Sequence, residues 1–269
     1  MVTLKVLKSR LDSSNVFYGV LRVVKMTSMA KFNEITKHAK VRDLSLRVPV
    51  RILCNYTRVD TPSSLFWGIM TNSGKCGAIN VNVMESISNL LSSSSKTITY
   101  GKKGFSLCSR FGGYIHTIFE AGSTSNRNLV ISGRILSSAC HIDMDHTIIY
   151  NRYYGMTSRA VSFYNVGSYE NFAHYCATFI KSSEVRSKVL SVFSSGDLVN
   201  LYDFLLSNIL LNALYENDLS ECSARIQSLE TALKNLEMII EDLRKVYNKR
   251  RQGSITNELL EIIASTISI

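Results

Sequence analysis

Nine residues, Leu219, Cys222, Ile226, Leu229, Leu233, Leu236, Ile240, Leu243 and Tyr247, follow one another at alternating steps of three and four. That spacing keeps them on one side of an α-helix and is the mark of a coiled-coil seam. From Asp197 to Ile269 there is no proline and a single glycine, Gly253, so nothing obliges the helix to stop. A continuous helix over this stretch is about 110 Å long at the α-helical rise. Glu221, Arg225, Glu230, Lys234, Glu237, Glu241 and Lys245 fall between the seam positions and make a polar back. Glu230–Lys234 and Glu241–Lys245 stand at the supportive i, i+4 spacing. The residues also allow two helices broken near Asn217, or one helix packed into a bundle.

The other end of the chain is built in the same way. Residues 3–48 contain no proline and only Gly19, with apolar positions at Leu4, Leu7, Leu11, Phe17, Leu21, Val24, Phe32, Ile35 and Ala39. The predicted N-terminal helix ends at Val48–Pro49, because the residue before a proline is driven out of the helical region. Its first thirty residues are basic and poor in acids, as in a transit peptide. The helical pattern nevertheless runs on through them, so they are read as part of the folded chain. An apolar face on so long a helix needs a cover, and the C-terminal seam offers one. Antiparallel pairing leaves the C-terminal helix longer by about 27 residues, roughly 40 Å at the helical rise. The regular seam stops at Tyr247, which places the overhang at the C-terminus. Leu259, Leu260, Ile262, Ile263, Ile267 and Ile269 then have no cover within their own chain. Just before them stand Lys249, Arg250 and Arg251, which as a bare charge run read as a solvated face.

Between the helices the hydrophobic period changes. The stretches 64–71, 96–100, 146–154 and 160–166 read as strands and 78–91 as a helix, with "GKKG" at 101–104 as a closing turn and "SSSS" at 92–95 as a loop. Strand, helix and strand within about forty residues make a crossover unit, hence an inserted, small, Rossmann-like α/β domain. The division expected is 1–48 for the N-terminal helix, 49–195 for the α/β domain and 196–269 for the C-terminal helix.

No catalytic, cofactor-binding or metal site emerges. "NSGKCG" (72–77) resembles a phosphate loop, but five residues separate Gly68 from Gly74 and Lys75 is followed by Cys76, which has no hydroxyl for magnesium. It reads as a tight strand-to-helix turn. In "CHIDMDH" (140–146), His141, Asp143 and Asp145 share a strand face and His146 points away. Without a second cluster, a solvated loop or strand edge is the reading favoured over a metal centre. Cys76 has no histidine near it in sequence and reads as a small hydrophobe. The six cysteines form no Cys-x-x-Cys pair, which fits a reducing compartment. The formal charge of +10 suggests acidic partners, but no nucleic-acid motif accompanies it. No apolar run reaches the roughly 18 residues needed to span a bilayer; 198–215 comes nearest and is interrupted by Asn200, Asp203, Asn208 and Asn212.

Three stretches carry a family resemblance. "VVKMTSMAKF" (23–32), "TNSGKCGAIN" (71–80) with "GKKG", and "ENDLSECSARIQSLETALKN" (216–235) followed by "VYNKRRQGSITNELLEII" (246–263) resemble the gamma subunit of the F-type ATP synthase, the rotor shaft. The resemblance implies a non-catalytic shaft turning inside a ring of alpha and beta subunits. It implies a foot on the membrane c ring near residues 42–62 and 196–203, delta/epsilon-type stalk partners, and no nucleic acid or cofactor. It further implies that Lys25, Met26, Arg225, Arg251, Gln252 and Thr256 contact the beta subunits. The compartment implied is the mitochondrial inner membrane, matrix side, with a bacterial plasma membrane as the alternative. The chain departs from the family at Val24, where a methionine is common, and at Asn72–Ser73, where an Asp-Arg pair is usual. The residues without the resemblance also allow a coiled-coil scaffold or tethering protein with an α/β head.

Overall fold

The computed structural model describes residues 3–37, 39–54, 64–91, 96–111, 115–119, 144–181 and 195–267. They divide into two compact units, Lys31–Ala224 and Met1–Ala30 with Arg225–Ile269. In chain order the helices are α1 (Leu4–Lys37), α2 (Ala39–Leu53), α3 (Ile79–Leu90), α4 (Lys102–Phe111), α5 (Tyr169–Lys181) and α6 (Ser195–Ile267). The strands are β1 (Ser64–Ile69), β2 (Lys96–Tyr100), β3 (Ile115–Phe119), β4 (Asp145–Tyr153) and β5 (Arg159–Val166). The loop expected at "SSSS" (92–95) and residues 140–143 lie outside the described residues.

The larger unit is built on a five-stranded sheet in the order β3-β2-β1-β4-β5. β3, β2, β1 and β4 are parallel, and β5 runs antiparallel at one edge. Strand periodicity sorts the side chains. Leu65, Trp67 and Ile69 of β1, with Ile148 and Tyr150 of β4, enter one core beside Leu53 of α2, Phe172 of α5, and Tyr202, Leu205, Ile209 and Ala213 of α6. Phe66, Met70 and Ile149 point to the other face, against Val83, Met84 and Ile87 of α3 and Leu107 of α4. Each such large side chain taken wholly from water contributes about 1.5–3 kcal/mol, so both faces are strongly specified.

Four strands and α3 lie where the sequence pattern places them; β3, α4 and α5 are additional to it. "GKKG" follows the strand's end at Tyr100 as expected, but it also opens a helix at Lys102. Gly101 has φ +100, and a Cβ there would lie 2.4 Å from the Met70 carbonyl oxygen, so only glycine fits. Lys102 N–H then donates to Asn72 Oδ1 and Lys103 N–H to the Thr71 carbonyl, which seats the start of α4 on the preceding turn. The N-terminal helical region does not end at Val48–Pro49 either: Pro49 lies inside α2. Proline forfeits its own helical hydrogen bond, yet the last turn is retained because Leu53 is buried in the core and Cys54 N–H reaches the Val50 carbonyl.

Residues 72–77 form a strand-to-helix turn with Lys75 and Gly77 both at positive φ. Asn80 locks it, accepting from Thr71 N–H at 2.9 Å and donating to Thr71 Oγ1 at 2.8 Å. Asp145 and His146 are buried, not solvated as expected. Asp145 Oδ1 accepts from Ser168 N–H at 2.8 Å, just before α5, and His146 Nδ1 accepts from Trp67 Nε1–H at 3.1 Å. Among the described residues no group of three or more His, Cys, Asp or Glu is placed to hold a metal.

α6 runs 73 residues without interruption. By length and composition alone it could cross a membrane, but half of its most apolar window is buried within the chain's own fold.

Candidate partner-contact surface of the helical unit

The smaller unit pairs the first part of α1 with the last part of α6. Lys25 Nζ meets Glu230 Oε1 at 2.8 Å, and Tyr18 O–H donates to Glu237 Oε1 at 2.6 Å. Seven residues forward on α1 correspond to seven backward on α6, so the pair is antiparallel and in heptad register. Along α6 the predicted seam is buried at Ile226, Leu229, Leu233 and Ile240 and half-buried at Leu236, Leu243 and Tyr247.

The facing seam of α1 differs from the predicted one. The covered positions are Leu4, Leu7, Leu11, Ser14, Tyr18, Leu21, Lys25 and Ser28, again at steps of three and four. Phe17 and Val24, placed in the seam by their apolarity, are instead 56% and 37% exposed. The phase of a heptad outranks the polarity of single members. Ser28 is tolerated because its hydroxyl donates to the Val24 carbonyl at 2.9 Å, and Lys25 because Glu230 neutralises it. Phe17 and Val24, with Val16, Val20, Val23, Met26 and Met29, leave apolar surface on the outside of α1.

Where the polar seam residues meet α6 the two helices bound a groove of about 650 Å³, lined by Tyr18, Arg22, Lys25, Met26, Met29, Glu230, Leu233, Lys234 and Glu237. The hydrogen bond to the Glu237 carboxylate raises the pKa of Tyr18. Lys25 and Met26 of the expected contact set belong to this groove, and Arg225 lies half-buried five residues from Glu230. Tyr18, Arg22, Glu230 and Glu237 were missed; continuing the three-four step through polar positions reaches Tyr18, whereas Arg22, Glu230 and Glu237 flank the seam and join the groove only through the pairing.

The pairing register brings Thr3 opposite about residue 252, so α1 offers α6 no further cover beyond that point. From Ile255 to Thr266 every residue is exposed, including Ile255 at 48%, Leu260 at 58% and Ile262 at 61%. The overhang is therefore at the C-terminus. Arg251, Gln252 and Thr256 lie at its base, all exposed, and Thr256 Oγ1–H donates to the Gln252 carbonyl at 2.9 Å. Arg244, Lys245, Lys249, Arg250 and Arg251 precede the tip with no acid between residues 243 and 257. Lys245 hydrogen-bonds Glu241 at 2.8 Å, which raises the lysine pKa and lowers that of the carboxyl. The expected contact residues thus form two patches on one helical pair. Arg251 is 26 residues from Arg225, about 39 Å along the helix.

A family model described as ATP synthase matches residues 3–269. Mitochondrial ATP synthase subunit gamma of Trypanosoma brucei brucei is 27% identical, over 99% of this chain and 92% of its own length. The corresponding protein of Drosophila melanogaster is also 27% identical, over 100% and 91%. A chain in the cryo-EM structure of the Euglena gracilis mitochondrial ATP synthase OSCP/F1/c-ring shares the fold with a TM-score of 0.86 at 23% identity, covering 98% of this chain and 94% of that one. A paired rod with a bare apolar end, an inserted mixed-sheet domain and a match over nearly every residue lead to one assignment: the chain belongs to the ATP synthase family, as a gamma subunit.

Proposed function

We propose that this chain is the central rotor stalk of an F-type ATP synthase. It couples proton-driven rotation of the membrane c ring to conformational change at the catalytic beta subunits, and itself catalyses nothing. The observation that carries this reading is the apolar end of α6, exposed from Ile255 to Thr266 on an otherwise paired helix. Contiguous apolar surface of this kind is a contact site, and a sleeve formed by the alpha and beta subunits covers it without locking it. A coiled-coil scaffold has no such need for a bare end.

Lys25, Met26 and Arg225 form one contact with the beta subunits; Arg251, Gln252 and Thr256 form a second. The basic segment 244–251 faces acidic loops of those subunits, since charge attraction tolerates changes of fit better than close packing does. The foot on the c ring includes the end of α2 and the start of α6, where Leu53 and Tyr202 share one core. Delta/epsilon-type subunits complete the stalk. The complex sits at the mitochondrial inner membrane with this subunit on the matrix side, in line with the mitochondrial relatives.

The test is purification of the native complex carrying Arg251→Ala and Gln252→Ala. The chain is expected to copurify with a large ATPase, and the double variant to lower coupled ATP turnover several-fold. Absence of ATPase from the wild-type preparation defeats the rotor reading; unchanged turnover in the variant defeats the second beta contact.

A further inference from the structure

A helix that transmits torque must not spin within the domain that drives it. Apolar packing resists this poorly, because it is non-directional. Hydrogen bonds resist it well, since they weaken steeply when misaligned. On the face of the sheet, α6 is held mainly by apolar side chains such as Leu205, Ile209 and Ala213. Its character then changes. Eight consecutive residues, 217–224, are buried, and five of them are Asn217, Asp218, Ser220, Glu221 and Ser223. At about 100° per residue, eight residues pass twice round the helix, so this segment is enclosed on every side.

The enclosure is hydrogen-bonded from three directions within the α/β unit. From β4, Asn151 Nδ2–H donates to Asn217 Oδ1 at 3.0 Å, the Asn151 carbonyl accepts from Ser220 Oγ–H at 2.9 Å, and Tyr153 N–H donates to Glu216 Oε2 at 3.1 Å. From β5, Arg159 Nη1–H donates to Ser223 Oγ at 3.1 Å. From the β1–α3 turn, Ser73 Oγ–H reaches Glu221 Oε1 at 3.4 Å. On a helical wheel Ser223 and Glu221 stand about 160° apart, with Asn217 and Ser220 between them. Bonds on opposite flanks oppose rotation in either sense.

We infer that Ser73, Asn151, Tyr153 and Arg159, with Glu216, Asn217, Ser220, Glu221 and Ser223, form an anti-rotation collar that clamps α6 in the α/β unit so that torque passes along the helix. The collar occupies the carboxyl-end edge of β1 and β4, where open α/β sheets usually take a ligand; here the chain's own helix fills that place. These are positioning residues, and the inference rests on the rotor reading above.

The experiment uses the whole ATP synthase in phosphatidylcholine vesicles. Two variants are compared with wild type, Ser73→Ala with Ser223→Ala, and Asn151→Leu with Asn217→Leu. The second keeps volume and burial while removing directional bonds. ATP hydrolysis and ATP-driven proton uptake are measured together against an opposing proton gradient. The collar predicts that protons moved per ATP fall at least two-fold while hydrolysis persists. A merely structural role lowers both rates in step and leaves the ratio at its wild-type value, which overturns the inference. Should the leucine variant fail to assemble, the serine pair decides, since it removes only two hydroxyls and adds no bulk. Loss of pumping in the wild-type preparation itself would instead strike the rotor reading, so the two failures are distinct.

Discussion

Asp203 is half-buried on α6 beside the apolar side chains that pack on the sheet, and that burial raises its carboxyl pKa above the ordinary 3.8. A carboxyl whose folded-state pKa is raised stabilises the fold least when ionised. Its desolvation cost is absent below the unfolded pKa and grows as pH rises through the folded value. Asp203→Asn is therefore expected to raise the urea midpoint at pH 7, with the gain vanishing below about pH 3.8, the unperturbed value. Unfolding curves at pH 7 and pH 3.5 check this. Cys54 offers a second measurement. Burial pushes its thiol up to about 11, so the reactive thiolate is scarce at neutral pH. Its alkylation by iodoacetamide, followed by peptide mass spectrometry, is expected to accelerate about tenfold per pH unit from 8 to 10. Neither environment is legible from the residue itself, since burial depends on what the rest of the chain lays across it.

The long helix tests cleanly because its seam is continuous. Leu236→Pro removes one helical hydrogen bond and drives the ring into the preceding turn, costing about 3 kcal/mol or more. Its expected effects are lost helical circular dichroism in the rod and failure to assemble; normal assembly would show that α6 need not be continuous there. This element was readable because nine seam positions repeat one short rule. The shorter elements were not. α4 begins inside "GKKG", where two glycines argue for a turn; what makes a helix of it is the 71–72 segment accepting the Lys102 and Lys103 N–H groups. Pro49 misled in the opposite sense, because its local penalty is offset by core burial of Leu53, a contact remote in sequence.

Across the whole molecule, residues 255–266 are exposed and add nothing to the chain's own core, yet on the rotor reading they contact the sleeve. Deleting residues 255–269 is expected to leave the unfolding midpoint of the chain nearly unchanged while slowing coupled ATP turnover in the assembled complex. A large fall in the midpoint would show that the tip packs within the chain. The paired candidate contacts divide in the same way. Arg251, Gln252 and Thr256, like Lys25 and Met26, were expected from the family resemblance, and the seam's end marks only where the bare helix begins; the groove holding Lys25 and Met26 arises only once Tyr18 and Glu237 are brought together.

Local repetition is enough to specify a long helix, its partner and the end left uncovered, because a three-four step is a property of consecutive residues and needs no distant information. The strand alternation likewise foretold a sheet with helices on its faces. Which α1 side chains enter the seam was settled by the pairing register, which carried Ser14, Lys25 and Ser28 inward and left Phe17 outside. Tertiary structure also decided that a run of serines, acids and asparagine on α6 is enclosed. Burial of polar groups becomes affordable only where partners from three separate strands and turns arrive with hydrogen bonds, and nothing in a linear pattern announces their arrival.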